Sequence, residues 1–214
     1  MTTQGVLHRL RRCPAGSSIV ELAFALPLLL MAGLGLSEMA ALSIAQSRVN
    51  QIAISVADNA SRAKQSVVGA SPQVREYDVN ETFKAADLQF PAMELQLNGR
   101  VVLSSLETNA AGGQWIHWQR CHGNAELGSS DYGQEGLGVT GTEFPGMGPA
   151  DNRVAAEENA AIMFAEVKYR YRPLFFHYFI DDQIISKAAA MYVRDDRDLT
   201  QIYNPAPAVT VKTC

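Results

Sequence analysis

Residues 16–37 read G-S-S-I-V-E-L-A-F-A-L-P-L-L-L-M-A-G-L-G-L-S, and the organisation of the whole chain follows from this stretch. No charged residue occurs from Leu22 to Ser37, and a glutamate flanks this run at each end, Glu21 and Glu38. An α-helix rises about 1.5 Å per residue, so roughly twenty residues cross the hydrocarbon core of a bilayer. The stretch predicts a transmembrane helix over residues 17–38, with Glu38 at the far interface, where its carboxylate reaches water.

Basic residues precede the apolar run. His8, Arg9, Arg11 and Arg12 lie within the first 16 residues, which contain no acidic residue. Positively charged flanks of a membrane helix stay on the cytoplasmic side. The amino terminus is therefore predicted to be cytoplasmic and the remainder of the chain to be exported.

Glu21 is an unusual residue at the mouth of an apolar helix, because a carboxylate there costs about 3 kcal/mol on insertion scales. It stands five residues after Gly16 and six before Pro27, behind the arginine cluster. This arrangement resembles the cleavage and assembly signal of type IV prepilins. It resembles more closely the amino-terminal segment of the TadE-like minor pilins (pseudopilins) of the tight-adherence (Tad/Flp) pilus system.

The resemblance implies processing and a set of partners. A prepilin peptidase would cut after Gly16, removing a cytoplasmic leader (residues 1–16) and leaving Ser17 as the new amino terminus. Glu21 would then be the assembly glutamate, paired with the terminal ammonium of a neighbouring subunit, since a pair costs far less than two lone charges. Further implied partners are the major Flp pilin, a sister minor pilin and the inner-membrane platform of the Tad system.

The expected function is assembly, by initiation or capping, of a Tad/Flp type IV pilus used for adhesion. The expected location is the bacterial inner membrane, spanned once, with the carboxyl-terminal domain in the periplasm or associated with the pilus. Such a protein is a peptidase substrate and needs no cofactor. Phosphate loops, nucleophile elbows and dinucleotide fingerprints are absent from the sequence, which makes no case for an enzyme.

Two other interpretations of the amino terminus stay open. A secretory signal peptide has a basic region, an apolar region and small residues before the cut, and Ser43-Ile44-Ala45 fits that site. An uncleaved single-pass anchor carrying a periplasmic binding domain also explains the apolar run, but it leaves Gly16 and Glu21 without a role. The run exceeds the usual signal-peptide length and Glu21 interrupts its start, so the pilin-like interpretation is favoured.

Charge and cysteine content constrain the exported part. The net charge is −4, and the only unopposed basic cluster lies in the leader, so binding to nucleic acid is not expected. Of the three cysteines, Cys13 falls in the leader, which leaves Cys121 and Cys214. Two cysteines in an oxidising compartment are readily a disulfide, and two unrelated thiols are the alternative.

The apolar pattern continues past the membrane at helical spacing, so a helix is predicted over residues 17–67, ended by Gly69 and Pro72. A short second helix is predicted after Asn80, ending before Pro91. Residues 68–214 are then predicted to form the periplasmic α+β domain.

Alternating patterns predict strands over residues 100–106, 115–121, 163–172 and 183–194. Ile116 and Trp118 are expected on one face of their strand, and His117, Gln119 and Cys121 on the other. Residues 123–159, with eight glycines, predict a long Gly-rich loop. The aromatic stretch 174–180 is expected in the core or in a subunit contact. The predicted fold class is α+β, pilin-like: a long transmembrane helix packed against a small antiparallel meander, with one sheet face on the helix.

Two groups of residues are candidate metal ligands. His117, Cys121 and His122 are close in sequence, but no second cluster completes a zinc set. Asp131, Glu135, Glu143 and Asp151 lie in the loop without the spacing of a calcium-binding loop. A solvated loop was therefore favoured over a calcium site, and no metal is predicted.

Overall fold

The structure, a computed structural model, describes residues 14–173, 175 and 180–214, with side chains at all of these except 14–17 and 67. The chain divides into two compact units. One comprises residues 1–43 and 173–181, and the other comprises residues 44–172 and 182–214.

Helix α1 spans Pro14–Arg62 and contains Pro27. Among the described residues it is the one helix long and apolar enough to cross a membrane, by length and composition. Large apolar side chains in its first part are exposed along their whole run: Ile19, Val20, Leu22, Phe24, Leu26, Leu28, Leu29, Leu30, Met31, Leu34 and Leu36. A continuous exposed apolar surface of this kind is typical of contact with lipid or with other helices.

The predicted apolar stripe from Met39 to Ala63 is buried only in part: Met39 is exposed, whereas Ala45, Val49, Ile52, Val56 and Ala60 are buried together with Ala53 and Ala57. The helix ends five residues before the predicted Val67. Residues Gln65–Val67 form strand β1, which pairs with β2 (Ala70–Gln73) across a turn containing Gly69 at φ 76°. Two consecutive valines favour a strand over a helix, and a glycine with positive φ permits the tight reversal.

Helix α2 spans Glu76–Gln89, so it begins before the predicted start at Asn80. The side chain of Asp78 accepts the backbone N–H of Arg75 at 3.1 Å, and the Arg75 guanidinium bonds to the same carboxylate. This contact satisfies one of the donors left unpaired at a helix start, and it places an acid where the helix dipole favours one. A 3-10 turn (Pro91–Met93) and the one-turn helix α3 (Leu95–Asn98) follow.

Four ten-residue strands form the main sheet: β3 (Gly99–Thr108), β4 (Gln114–Gly123), β5 (Ile162–Tyr171) and β6 (Gln183–Tyr192). All neighbours are antiparallel, and the order is β4-β3-β5-β6. The predicted meander is wrong in one connection, because β5 pairs with β3 and not with β4. Residues 124–161 carry the chain back past β3, a path that a short hairpin turn does not allow.

Both faces of the sheet are buried along β3, most of β4 and most of β5, whereas the sequence predicted cover on one face; β6 is largely half-buried. On the α2 face, Arg120 and His122 of β4 contact Glu76 and Asp87 of α2. The opposite face is covered by side chains from residues 124–161. Its core consists of Leu106, Ile116, Ile162 and Phe164 with Met147 and Ala156 from the connection, joined by Tyr132, Phe144 and Val154.

Candidate functional site

The predicted cleavage and assembly residues lie at the start of α1. Gly16 and Ser17 are in its first turn, and Glu21 follows in the second with an exposed side chain. The first four N–H groups of a helix have no intrahelical acceptor, so the first turn separates from a helix more easily than any internal turn. The side chain of Glu21 lies on an exposed helix surface that is otherwise apolar and begins with Ile19 and Val20.

Glu38 departs from its prediction. Its side chain is fully buried, and its Oε2 accepts the backbone N–H of Phe175 at 3.0 Å. The expectation that this carboxylate reaches water is wrong, because a segment 137 residues later in the chain packs over it. Of the aromatic stretch 174–180, Phe175 and Ile180 are described, and the remaining residues, including His177, lie outside the described part of the chain.

Cys121 and Cys214 form a disulfide, with their Cα atoms 4.9 Å apart. The residues before Cys214 lie along β4 and α2. The backbone N–H of Cys121 donates to the carbonyl oxygen of Lys212 at 2.8 Å, and Nδ2 of Asn80 donates to the carbonyl oxygen of Thr210 at 3.0 Å. The disulfide and these hydrogen bonds fix the end of the chain on an edge strand whose backbone would otherwise face solvent.

A β-bulge in β4 separates residues that simple alternation placed together. Leu106 pairs with Ile116, but the next residue of β3, Ser105, pairs with Trp118. His117 is the extra residue, so Ile116 and Trp118 lie on opposite faces and the predicted shared face is wrong.

The bulge also separates His117 from Cys121, which simple alternation placed on one face, and ordinary alternation separates Cys121 from His122. Cys121 pairs with Val102 and His122 with Val101, and these alternate between the two faces. His117 Nδ1 lies 2.8 Å from Glu107 Oε2, and His122 Nε2 lies 2.8 Å from Asp87 Oδ2. Within the described residues, no group of three His, Cys, Asp or Glu residues is placed to hold a metal ion.

Two of the four acidic residues considered as calcium ligands, Asp131 and Glu135, bind cations of the sheet, Lys168 and Arg120. Lys168 Nζ donates to Asp131 Oδ1 at 2.6 Å and to the Ser129 carbonyl oxygen at 2.8 Å, with Glu166 Oε1 at 3.9 Å. Burial raises the pKa of the Glu166 carboxyl, against hydrogen bonds from Ser130 and the Asp131 backbone that lower it.

Arg120 anchors another part of the same connection. Its guanidinium binds Glu76 of α2 at 2.6 Å and Glu135 at 3.1 Å, and both Arg120 and Glu76 are buried. The connection is therefore ion-paired at these points, while the four acidic side chains considered as calcium ligands, Asp131, Glu135, Glu143 and Asp151, are all exposed. Sequence reasoning missed Lys168 and Arg120. Neither carries a local signal that separates a buried basic residue of a strand from a solvated one.

A hollow of about 440 Å³ opens beside the β3–β4 turn, and sequence reasoning did not find it. It is lined by Glu107, Thr108, Trp115, His117, Asn159, Ala160, Leu199 and Thr200. Glu107 accepts Oγ–H of Ser105 at 2.6 Å and holds Nδ1 of His117, while the Trp115 ring stacks on His117 with centroids 4.3 Å apart. The lining combines an oriented imidazole with hydroxyl and amide groups, which suits reversible binding of a polar molecule.

Comparison of the chain with protein-family models, with curated proteins and with solved structures found no match. The family resemblance therefore rests on the residues of the amino-terminal segment alone.

Proposed function

We propose that this chain is a TadE-like minor pilin that is cut after Gly16 and packs its amino-terminal helix beside other pilin helices during assembly of a Tad/Flp pilus. One observation carries the proposal. The sequence G-S-S-I-V-E stands between an arginine cluster and a helix whose apolar side chains are exposed along its first part. A plain anchor needs only the apolar residues, so Gly16 and Glu21 have a purpose in the proposed function and none in the anchor.

The position of Gly16 and Ser17 suits proteolysis. A peptidase binds its substrate in an extended form, so the scissile bond must leave the helix. In the first turn of α1 this disrupts few backbone hydrogen bonds. Glycine before the bond adds no side chain and tolerates the required backbone conformation.

Glu21 is placed to act after cleavage. It lies four residues from the new terminus, about one helical turn, on an exposed apolar surface. In a bundle of such helices its carboxylate would be withdrawn from water, and the ammonium of a neighbouring Ser17 would be its counter-charge. Removing one member of such a pair leaves a buried lone charge, which costs about 3–5 kcal/mol.

The exported unit supports the proposed location. A disulfide between Cys121 and Cys214 is typical of an oxidising compartment such as the periplasm. The partners of the proposal are the prepilin peptidase, the major Flp pilin, a sister minor pilin and the inner-membrane platform.

Co-purification with other pilins tests the role of Glu21. Glu21→Ala should still insert into the membrane and be cleaved, but association and surface piliation should be lost. Glu21→Gln should be nearly as defective, because it keeps shape and hydrogen bonding without the charge. Glu81→Gln, at an exposed glutamate of α2, is the matched control and should associate normally. Normal association of Glu21→Ala would mean that the Glu21 carboxylate is not an assembly contact.

The hollow beside Glu107 and His117 favours a second candidate function, an uncleaved inner-membrane anchor whose exported domain binds a small polar molecule. The two candidates differ at the mature amino terminus, which is Ser17 for the pilin and Met1 for the anchor. They differ also in the effect of Gly16→Val, which would block processing of the pilin and leave the anchor unaffected.

A further inference from the structure

The last residues of the chain are held against one buried histidine of β4. His122 is 5% exposed, and its ring stacks on Phe83 of α2 with centroids 5.2 Å apart. Its two ring nitrogens face opposite charges: Nε2 lies 2.8 Å from Asp87 Oδ2, and Nδ1 lies 3.0 Å from Lys212 Nζ. The Gln96 amide also lies 2.8 Å from Nε2.

These contacts determine the protonation state of the imidazole. An ammonium group only donates hydrogen bonds, so Nδ1 must offer a lone pair to Lys212. Nε2 then carries the proton and donates it to Asp87 Oδ2, and the Gln96 amide nitrogen, which can only donate, also donates to that oxygen, at 3.3 Å. His122 is therefore neutral when Lys212 is in place, and the Lys212 ammonium lies 5.5 Å from the centre of the Phe83 ring.

The same lysine holds the tail on β4. Its carbonyl oxygen accepts the backbone N–H of Cys121, the residue next to His122. Lys212 therefore makes two contacts. Its side-chain contact needs a neutral imidazole, and its backbone contact covers the edge of the sheet.

We propose that His122 and Lys212 form an acid-sensitive latch, which holds the carboxyl-terminal tail (residues 208–214) on the edge of β4 near neutral pH and releases it when His122 binds a proton. The disulfide at Cys214 keeps the released tail attached, so the change is reversible. This device does not depend on the proposed pilin function.

The charges around His122 give the direction of the response. A proton on Nδ1 would face the Lys212 ammonium at hydrogen-bond distance, where neither group has a lone pair to share. Burial lowers the pKa of His122, and Lys212 and Arg100 lower it further, while Asp87 opposes them. Burial also lowers the pKa of Lys212.

The sign of the pH dependence follows. With the tail released, the Lys212 ammonium no longer faces Nδ1, so the pKa of His122 rises from its lowered value toward the ordinary 6.5. The released state thus binds more protons as the pH falls through 6.5. One such group shifts the equilibrium toward release by up to about thirtyfold at pH 5.

The test is amide hydrogen exchange at Cys121 in the full-length protein in detergent, expressed as protection relative to intrinsic exchange at each pH. Between pH 7.5 and pH 5 the wild type should lose protection by roughly three- to thirtyfold. Lys212→Met removes the charge that opposes a proton on Nδ1, while burial and Arg100 still lower the pKa of His122, so this variant should lose less protection than the wild type over the same range. Lys84→Met, at an exposed lysine of α2, is the matched control and should behave as the wild type.

A titration of the His122 ring by NMR in the wild type accompanies this measurement and does not depend on any variant folding. A pKa below 6.5 is expected. The latch is overturned if wild-type protection at Cys121 is equal at the two pH values, if Lys212→Met loses protection as steeply as the wild type, or if His122 titrates at or above its ordinary pKa.

Discussion

The buried side chain of Arg197 donates to the carbonyl oxygen of Ser61, at the end of helix α1. A second nitrogen of the same guanidinium donates to the Ala60 carbonyl oxygen at 3.4 Å, and Nε binds Asp195 Oδ1 at 2.7 Å. The last carbonyl groups of a helix have no intrahelical donor. A cation from the far end of the chain therefore completes the carboxyl terminus of α1, where the helix dipole favours positive charge.

Arg197→Met should destabilise the unit formed by residues 44–172 and 182–214 by about 3 kcal/mol, because it leaves buried carbonyl oxygens without their donor and Asp195 with only Lys64 as a cationic partner. Arg197→Lys should recover only part of this loss, since an ammonium cannot reproduce the planar fork. Denaturant unfolding of the full-length protein measures both. Arg194→Met, at an exposed arginine nearby, should change stability by less than about 0.5 kcal/mol. Equal stability of Arg197→Met and wild type would mean that the contact is not structural.

The disulfide closes a separation of 93 residues, and in the chain-entropy model such a loop contributes about 4 kcal/mol. The double variant Cys121→Ser/Cys214→Ser should lose stability of this order in denaturant unfolding. Reduction of the wild type should have the same effect as the double variant. Mass mapping of unreduced protein from native membranes that finds two free thiols would contradict the pairing.

Glu38→Ala should free the amide of Phe175, because the buried N–H loses its acceptor. Its hydrogen exchange in the full-length protein should accelerate at least tenfold, equivalent to about 1.4 kcal/mol. Glu38→Gln keeps an accepting oxygen and should stay within about threefold of wild type.

Glu158→Ala, at an exposed glutamate, is the control for that measurement and should leave the Phe175 amide unchanged. If Glu38→Ala also leaves the exchange rate unchanged, the carboxylate does not hold the segment that begins at Pro173.

Gly16→Val should leave the full-length precursor in the membrane, since a branched side chain before the scissile bond would clash as the backbone extends. Gly33→Val is the matched control within the same helix. A Cβ at Gly33 meets no atom within 4 Å, so processing should be normal. Membrane fractions compared by gel mobility and intact mass would report both. Efficient cleavage of Gly16→Val would contradict the assignment of Gly16.

Much of the fold was predictable from the local periodicity of apolar residues. The four main strands and both long helices were predictable because their apolar residues repeat at strand or helix spacing. The bulge at His117 was not, since only pairing with Ser105 and Leu106 reveals the extra residue. The strand order could not be predicted from the sequence either, because it depends on the path of residues 124–161 across β3.

The misjudged charges share a physical cause. Glu38, Glu166 and Lys168 carry no sequence signal that distinguishes a buried ion from a solvated one. Their partners, Phe175, Ser130 and Asp131, lie more than thirty residues away. Gly16 and Glu21 differ from these residues, because their proposed roles are inferred from their spacing within one helix and from the residues beside it.

The amino-terminal residue of the protein purified from native membranes tests the central claim most directly. Sequencing of the terminus together with intact mass should find Ser17, the product of cleavage after Gly16. A chain that begins at Met1 would contradict the claim and favour the uncleaved anchor. A chain that begins at Gln46 would contradict it in favour of a signal peptide cut after Ala45.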